Sequence, residues 1–109
     1  MPQYLYQISY TAESLAAQIQ NPQDRIETNR PLVEAVGGKL LGGGFSFGEY
    51  DATFLIEVPD DETAAALSVA VAAGGAVSSS KTTKLLSGEQ WVAALGKASD
   101  VARAYKPAG

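Results

Sequence analysis

The order of its strand-like and helix-like segments constrains the fold of this chain more than any other feature of the sequence. Residues 3–10 (QYLYQISY) carry aromatic and β-branched residues at alternate positions, which is typical of a half-buried strand. Helical periodicity then extends to Gly37, where glycine predicts a left-handed helix cap. Further along, the patterns predict strands over Lys39–Phe47 and Tyr50–Val58, a helix from Pro59 to Gly74 and a strand over Ala76–Leu85.

This β-α-β-β-α-β order predicts an α+β fold of the ferredoxin-like type. It implies one four-stranded antiparallel sheet with both main helices on one face. A capping-box pattern over Ser87–Gln90 predicts a further C-terminal helix. Gly96 and Ser99-Asp100 predict its division into two short helices. The chain then consists of a domain over residues 1–86 and a helical extension over residues 87–109. Because the two main helices cover only one face of the sheet, the other face needs a second copy or the C-terminal helix as its cover.

Local signals refine the elements. Thr11 and the Asn21-Pro22 pair predict two helix starts, because both fit the preferred N-cap chemistry. Pro31 lies inside the second apolar stripe and predicts a kink or break just before it. The run Gly42–Gly44 lies inside a predicted strand, where glycine marks a bulge or a close approach of another backbone.

Composition excludes several classes of function. The chain has 109 residues, a net charge of −4, no Cys and no His. These absences exclude thiol chemistry, remove the usual general base and predict neither a metal site nor a cofactor. The acidic balance, with scattered Lys and Arg, argues against nucleic acid and anionic membranes as partners. The N-terminal segment is unlike a signal peptide and the run Ala64–Ala73 is too short to span a bilayer, so we expect a cytoplasmic location.

One combination of motifs resembles a known family. These motifs are the N-terminal strand MPQYLYQISYT, Pro22 with Arg25, Gly37-Gly38-Lys39, Gly48-Glu49-Tyr50-Asp51 and Pro59-Asp60-Asp61-Glu62. Together, over residues 2–86, they resemble the GYD domain family of small bacterial and archaeal proteins. The resemblance implies a dimeric α/β barrel, in which two ferredoxin-like sheets face each other, and implies no particular reaction.

The hairpin that contains Glu49 and Asp51 is also similar to one in the effector-binding domains of leucine-responsive bacterial regulators. There, the region near this turn helps to bind small molecules at subunit interfaces. Because the first predicted strand starts at residue 3, we expect no DNA-binding helix-turn-helix segment ahead of it. This second, local resemblance implies ligand sensing without DNA binding.

The motif Gly48-Glu49-Tyr50-Asp51 has two interpretations. As a hairpin turn, Gly48 adopts a positive φ, Glu49 is solvated, Tyr50 packs on a neighbour and Asp51 accepts hydrogen bonds from turn N–H groups. As a site, Glu49 and Asp51 form a carboxylate pair for acid–base chemistry or for holding a cation. Turn chemistry is the commoner use of such residues.

Other residues have both structural and functional interpretations. Tyr4, Tyr6 and Tyr10 share one face of the first strand, where they form either core or the lining of a cavity for a flat apolar ligand. Arg25 is either solvated or positioned to hold an anion at a cleft mouth. Trp91 and Leu95 predict an interface or core anchor. The candidate ligand-binding residues are therefore Tyr4, Tyr6, Arg25, Glu49, Tyr50, Asp51 and Thr53.

Three functions remain open from the sequence. The first hypothesis is a non-catalytic module for small-molecule binding or assembly that acts as a homo-oligomer. The second is a cofactor-independent enzyme that uses Asp, Glu or Tyr on a small aromatic or polyketide-like substrate. The third is a purely structural module that binds another protein.

Overall fold

A computed structural model describes all 109 residues and contains four strands and four helices. In chain order the elements are β1 (Gln3–Tyr10), α1 (Ala12–Gln20), α2 (Arg25–Ala35), β2 (Lys39–Phe45), β3 (Ala52–Glu57), α3 (Asp61–Ala73), β4 (Val77–Leu85) and α4 (Gly88–Ala104).

The four strands form one sheet in the order β2-β3-β1-β4, and every neighbouring pair is antiparallel. Strands β1 and β3 therefore lie at the centre, with Tyr6 opposite Phe54. The polar strand β4 lies at an edge. This arrangement confirms the α+β, ferredoxin-like prediction.

The core lies between the sheet and the helices α2 and α3. Alternate residues of β1 and β3 point to this side, so Tyr6 and Phe54 are buried while Leu5 and Leu55 face the other side. Helix α2 packs mainly on β2, and α3 packs mainly on β4. The core consists of Tyr4, Tyr6, Ile8, Ile26, Val33, Leu40, Ala52, Phe54, Ile56, Val58, Ala64 and Leu67.

Side-chain caps define the helix starts. The Thr11 hydroxyl accepts a hydrogen bond from the N–H of Ser14, as predicted for α1. The prediction of Asn21-Pro22 as the second cap is wrong, because α2 begins after Asp24. The Asp24 carboxylate accepts hydrogen bonds from the N–H groups of Ile26 and Glu27. Asn21 instead follows the C-terminal end of α1.

Two helix breaks predicted from the sequence are absent. Helix α2 runs through Pro31, with the buried residues Ile26 and Val33 holding it to the sheet on either side of the proline. Arg30 adds a hydrogen bond to the carbonyl of Leu40 at 3.0 Å. Helix α4 likewise continues through Gly96 and Ser99-Asp100 as one helix of 17 residues. A glycine costs an exposed helix only about 1 kcal/mol, which a long capped helix tolerates.

The glycines of β2 confirm the predicted bulge and close approach. The pairing of β2 with β3 shifts by one residue at Leu41, as in a bulge. A Cβ at Gly43 would lie 2.5 Å from the carbonyl oxygen of Thr53, whereas Gly42 and Gly44 face open space. Gly37 has a φ of 80° and caps α2, also as predicted.

Helix α4 extends away from the rest of the molecule. It has no buried residue, and the structure measures 59 × 37 × 22 Å along its principal axes. None of the four helices combines the length and the hydropathy that crossing a bilayer requires.

Candidate functional site

Tyrosines of β1 form the floor of the candidate site. Tyr4, Tyr6 and Tyr10 point to the helix side, as alternate residues of one strand must. The Tyr6 ring packs against Phe54, with 6.2 Å between ring centroids and a tilt of 35°. The sequence prediction of a shared tyrosine face is therefore confirmed.

A groove opens above these tyrosines because α2 and α3 lie over opposite edges of the sheet. Its inner part is a narrow apolar space of about 40 Å³ beside Tyr6, and its outer part is a wider space of about 310 Å³ beside Tyr10. Asn29, Leu32 and Val71 line both parts. We call this space the α2–α3 groove; its lining includes Tyr6, Tyr10, Arg25, Asn29, Leu32 and Val71.

Two tyrosine hydroxyls at the floor of the groove have no hydrogen-bond partner. Both the Tyr6 and the Tyr10 hydroxyl oxygens are buried. Burial raises the pKa of Tyr6, and the nearby hydroxyls of Ser68 and Ser80 oppose that rise without reaching hydrogen-bond geometry. Both phenols are therefore neutral donors at physiological pH, and neither donates to a protein acceptor.

Arg25 brings a positive charge to the outer end of the groove. It is the first residue of α2, immediately after the Asp24 cap, and it lines the wider space beside Tyr10. None of the ion pairs in the structure involves Arg25. Burial raises the pKa of Tyr10, the Arg25 charge opposes this rise and the Asp51 charge adds to it, so both charged groups lie within electrostatic reach of Tyr10.

Tyr4 differs from the other two tyrosines because its hydroxyl is satisfied. It donates a hydrogen bond to Asp61 at the start of α3, and Lys84 of β4 contacts the same carboxylate at 2.9 Å. The hydrogen bond to Asp61 is the main cause that raises the pKa of Tyr4 to about 12. The same hydrogen bond lowers the pKa of Asp61. Tyr4 thus ties β1 to α3 and β4 and leaves no free donor for a ligand.

The loop over residues 46–51 anchors the end of β1. The Asp51 carboxylate accepts the N–H of Tyr10 at 2.9 Å, and the Asp51 N–H donates to the carbonyl of Ile8 at 2.8 Å. The carbonyl of Glu49 accepts the Ser9 hydroxyl at 2.7 Å, while the Glu49 side chain is exposed. Asp51 is therefore engaged with backbone groups, and Glu49 does not form a buried pair with it.

Gly48 lies in the same loop and corrects one sequence prediction. Only Gly37, Gly75 and Gly109 have positive φ angles, so the predicted left-handed conformation of Gly48 is wrong. The loop spans six residues, whereas the tight two-residue hairpin turns require residues with positive φ angles. The longer loop reverses the chain without a positive φ at Gly48. Tyr50, at the same loop, accepts the Ser46 hydroxyl with its carbonyl and is only partly covered.

Thr53 lies on the opposite face of the sheet from the tyrosines. It is half-buried between Ala52 and Phe54, which both point to the helix side. The structure thus brings Tyr6 and Arg25 to the groove and separates them from Thr53. Neither Glu49 nor Asp51 lines the groove, although the Asp51 carboxylate contacts the backbone of Tyr10 beside it.

Several groove residues were not among the candidates from the sequence. Asn29 and Leu32 follow Arg25 by four and seven positions, so all three share one face of α2. That spacing was a usable signal. Val71 of α3 had no comparable signal, because its neighbours are almost all small and apolar.

Trp91 and Leu95 lie on α4, outside the core. Their exposed fractions are 58% and 52%, so neither anchors the core of its own chain. Their assignment to an interface stays a prediction. No group of three or more acidic side chains lies close enough together to hold a metal ion.

The comparison with protein-family models decides the family. The model for the GYD domain matches residues 4–95, from the second residue of β1 to the first half of α4. The chain belongs to the GYD domain family. No curated protein and no solved structure matches it. The GYD match covers the groove, the loop and the sheet, and it leaves the second half of α4 outside.

Proposed function

We propose that this GYD protein is a non-catalytic module that binds a small, flat and largely apolar molecule in the α2–α3 groove. The observation that carries this proposal is the pair of buried hydroxyls, on Tyr6 and Tyr10, that find no partner in the protein. The ligand that suits them carries oxygen acceptors on an apolar frame.

The free-energy cost of the two unpaired tyrosine hydroxyls supports a ligand as their hydrogen-bond partner. A buried polar group without a hydrogen bond costs about 1–3 kcal/mol, and native proteins contain few such groups. Here two occur on one strand, four residues apart, on the floor of the same groove. A ligand acceptor that formed a hydrogen bond with either hydroxyl would remove this free-energy penalty. The binding free energy would be more favourable by the same amount.

The shape and lining of the groove define the rest of the ligand. The outer part, at about 310 Å³, lies at the lower end of the range for small-molecule sites. Leu32, Val71 and Ile8 line it with apolar side chains. An aromatic bicycle fits this volume, and the narrow inner part beside Tyr6 admits only a thin ring edge or a short substituent.

The outer end favours an anionic group on the ligand. Arg25 presents a guanidinium without an ion-pair partner next to the buried Tyr10 hydroxyl. A guanidinium binds a carboxylate through two parallel hydrogen bonds, and the phenol adds a third donor. An aromatic carboxylate therefore matches the groove better than a neutral aromatic compound.

Titration with 2-naphthoate tests the proposal, and neutral 2-naphthamide serves as the matched probe. We expect naphthoate to raise Tm and to shift amide resonances of β1, α2 and α3 in two-dimensional NMR. Arg25→Gln should weaken naphthoate binding about tenfold and leave naphthamide binding unchanged, because only the charge is lost.

Tyr10→Phe separates binding from folding. The change removes one unpaired hydroxyl, so the free protein should be as stable as before or more stable by up to about 1 kcal/mol. Naphthoate affinity should fall about tenfold. Tyr105→Phe, on the exposed tail, is the control and should change neither quantity. If naphthoate shifted resonances only on the other face of the sheet, or if Tyr10→Phe destabilised the free protein, the groove would not be the site.

A further inference from the structure

A second cavity lies beside the α2–α3 groove, between the helices α1 and α2. It has a volume of about 230 Å³, and we call it the α1–α2 pocket. Apart from two alanines, its lining consists of Tyr10, Ser14, Gln18, Asn21, Gln23 and Arg25. Tyr10, Arg25 and Ala76 line this pocket as well as the outer part of the groove. The two spaces therefore meet at Tyr10 and Arg25, which stand in the middle of a longer site.

The orientation of α1 is the reverse of that of an ordinary surface helix. Such a helix turns its apolar stripe to the protein and its polar residues to water. In α1 no residue is buried, and the least exposed residues are Ser14 and Gln18. The apolar residues Leu15 and Ile19 are 42% and 76% exposed. Hydrophobic packing therefore does not explain why a polar face of α1 lines the cavity beside Tyr10.

The hydrogen-bonding groups of the pocket are concentrated on that face. Ser14, Gln18 and Asn21 follow one another at intervals of four and three residues, so their side chains lie on one side of α1. Gln23 reaches the same cavity from the connection to α2. The one side-chain hydrogen bond within this group joins the Gln18 amide to the Ser14 hydroxyl, at 3.3 Å. The amides of Asn21 and Gln23 keep both donors and acceptor for a ligand or for water.

The charges define what the pocket can accept. Arg25 is the only charged residue that lines either the pocket or the groove. One anionic group on the ligand pairs with it, and a second would find no further cation. A neutral carboxamide suits the rest of the pocket, because its N–H and C=O groups match the acceptor and donors of a Gln or Asn side chain.

We propose that the ligand of the groove carries an uncharged carboxamide arm that enters the α1–α2 pocket, beside the carboxylate held by Arg25 and Tyr10. The ligand class is thus an aromatic acid with a neutral amide substituent. The pocket, at about 230 Å³, is smaller than a separate small-molecule site, so it suits a substituent and not a second ligand. This inference rests on the function proposed for the groove and adds a third part to its ligand.

Two derivatives of 2-naphthoate test the arm. One carries a carbamoylmethoxy group beside the carboxylate, and the other carries an isobutoxy group, which has the same shape without the amide. We expect the protein to bind the carbamoylmethoxy compound about tenfold more tightly, as one or two added hydrogen bonds allow. In two-dimensional NMR it should shift the side-chain amide resonances of Gln18 and Gln23, which 2-naphthoate itself should not shift.

A double variant, Gln18→Leu with Gln23→Leu, should abolish this preference and bind 2-naphthoate as the wild type does. Neither glutamine belongs to the core, so the variant should fold. Gln20→Leu, on an exposed part of α1 outside the pocket, is the matched control and should keep the preference. Equal affinities of the wild type for both derivatives, or a preference that persists in the double variant, would overturn the carboxamide arm and leave the groove as the site. Failure of 2-naphthoate itself to bind would contradict the function proposed for the groove, and the arm with it.

Discussion

The two faces of the sheet are made by alternate residues of the same strands, yet they differ in how deeply their side chains are buried. Toward the helices, Phe54 and Ile56 are buried in a core of twelve apolar residues. Away from the helices, Leu55 between them is only half-buried. The first face therefore supplies most of the hydrophobic folding free energy, and the second supplies little. Substitutions of neighbouring residues on the two faces should differ in their cost to stability.

The largest expected effect contrasts Phe54→Ala with Leu55→Ala. Phe54 is 5% exposed, so its truncation leaves a cavity and should lower the free energy of unfolding by about 3–5 kcal/mol. Leu55→Ala should cost only about 1 kcal/mol, because the side chain is already partly in water. Urea denaturation at low protein concentration measures both. Equal costs would mean that the open face is covered even in the single chain.

The glycines of β2 offer a second contrast between the faces. An added Cβ at Gly43 would meet the Thr53 carbonyl oxygen at 2.5 Å and Ile26 at 3.2 Å. Gly43→Ala should therefore destabilise the protein by about 1–3 kcal/mol. Gly42→Ala meets nothing within 4 Å and should stabilise it by up to about 1 kcal/mol, since it restricts the unfolded chain. Thermal unfolding of the two variants checks the sign of each change.

The faces themselves could be predicted from the sequence because side-chain direction follows the period of a strand. The tyrosine face, the ferredoxin-like order and the bulge near Gly42 all follow from that local rule. Helix ends were harder. Asp24, rather than Asn21, caps α2, and both residue types cap helices equally well. The Asp24 carboxylate, which accepts the N–H groups of Ile26 and Glu27, decides which of them begins the helix, and no local pattern distinguishes the two candidates.

The site was less predictable than the fold because it depends on distances between elements. Tyr6 and Arg25 were candidates, but the space between them exists because α2 and α3 stand over opposite edges of the sheet. No local pattern encodes that separation. Asp51 looked free to act as an acid or base, but its carboxylate accepts the N–H of Tyr10, forty-one residues away in the chain.

A smaller contrast concerns the pH dependence of stability at alkaline pH, to which Tyr4 should contribute and the exposed Tyr105 should not. The pKa of Tyr4 is raised to about 12 in the folded state from an ordinary value of 10.0. Its contribution to stability is therefore complete below pH 10 and is lost as pH rises toward 12. Burial also raises the pKa values of Tyr6 and Tyr10, which adds to the same dependence.

Tyr4→Phe should therefore flatten the fall of Tm between pH 10 and 12, whereas Tyr105→Phe should keep the wild-type slope. Asp61→Asn should lower the pKa of Tyr4, since the Asp61 carboxylate is the main cause of its rise. Ultraviolet titration of phenolate formation, compared among these variants, measures that pKa. A Tyr4→Phe variant with the unchanged slope would show that the bond to Asp61 does not persist in solution.

The smallest expected effect concerns Gly48, in the loop that joins the end of β2 to β3. Glycine at such a position suggests a conformation that other residues avoid, and a β-branched side chain would then be costly. Here φ is not positive, and an added Cβ would have no neighbour within 4 Å. Gly48→Val should therefore change the free energy of unfolding by less than about 0.5 kcal/mol, as surface substitutions usually do. Gly37→Val, where φ is 80°, is the matched control and should destabilise the protein clearly. Equal losses from both variants would mean that Gly48 adopts a left-handed conformation in solution, contrary to the loop described here.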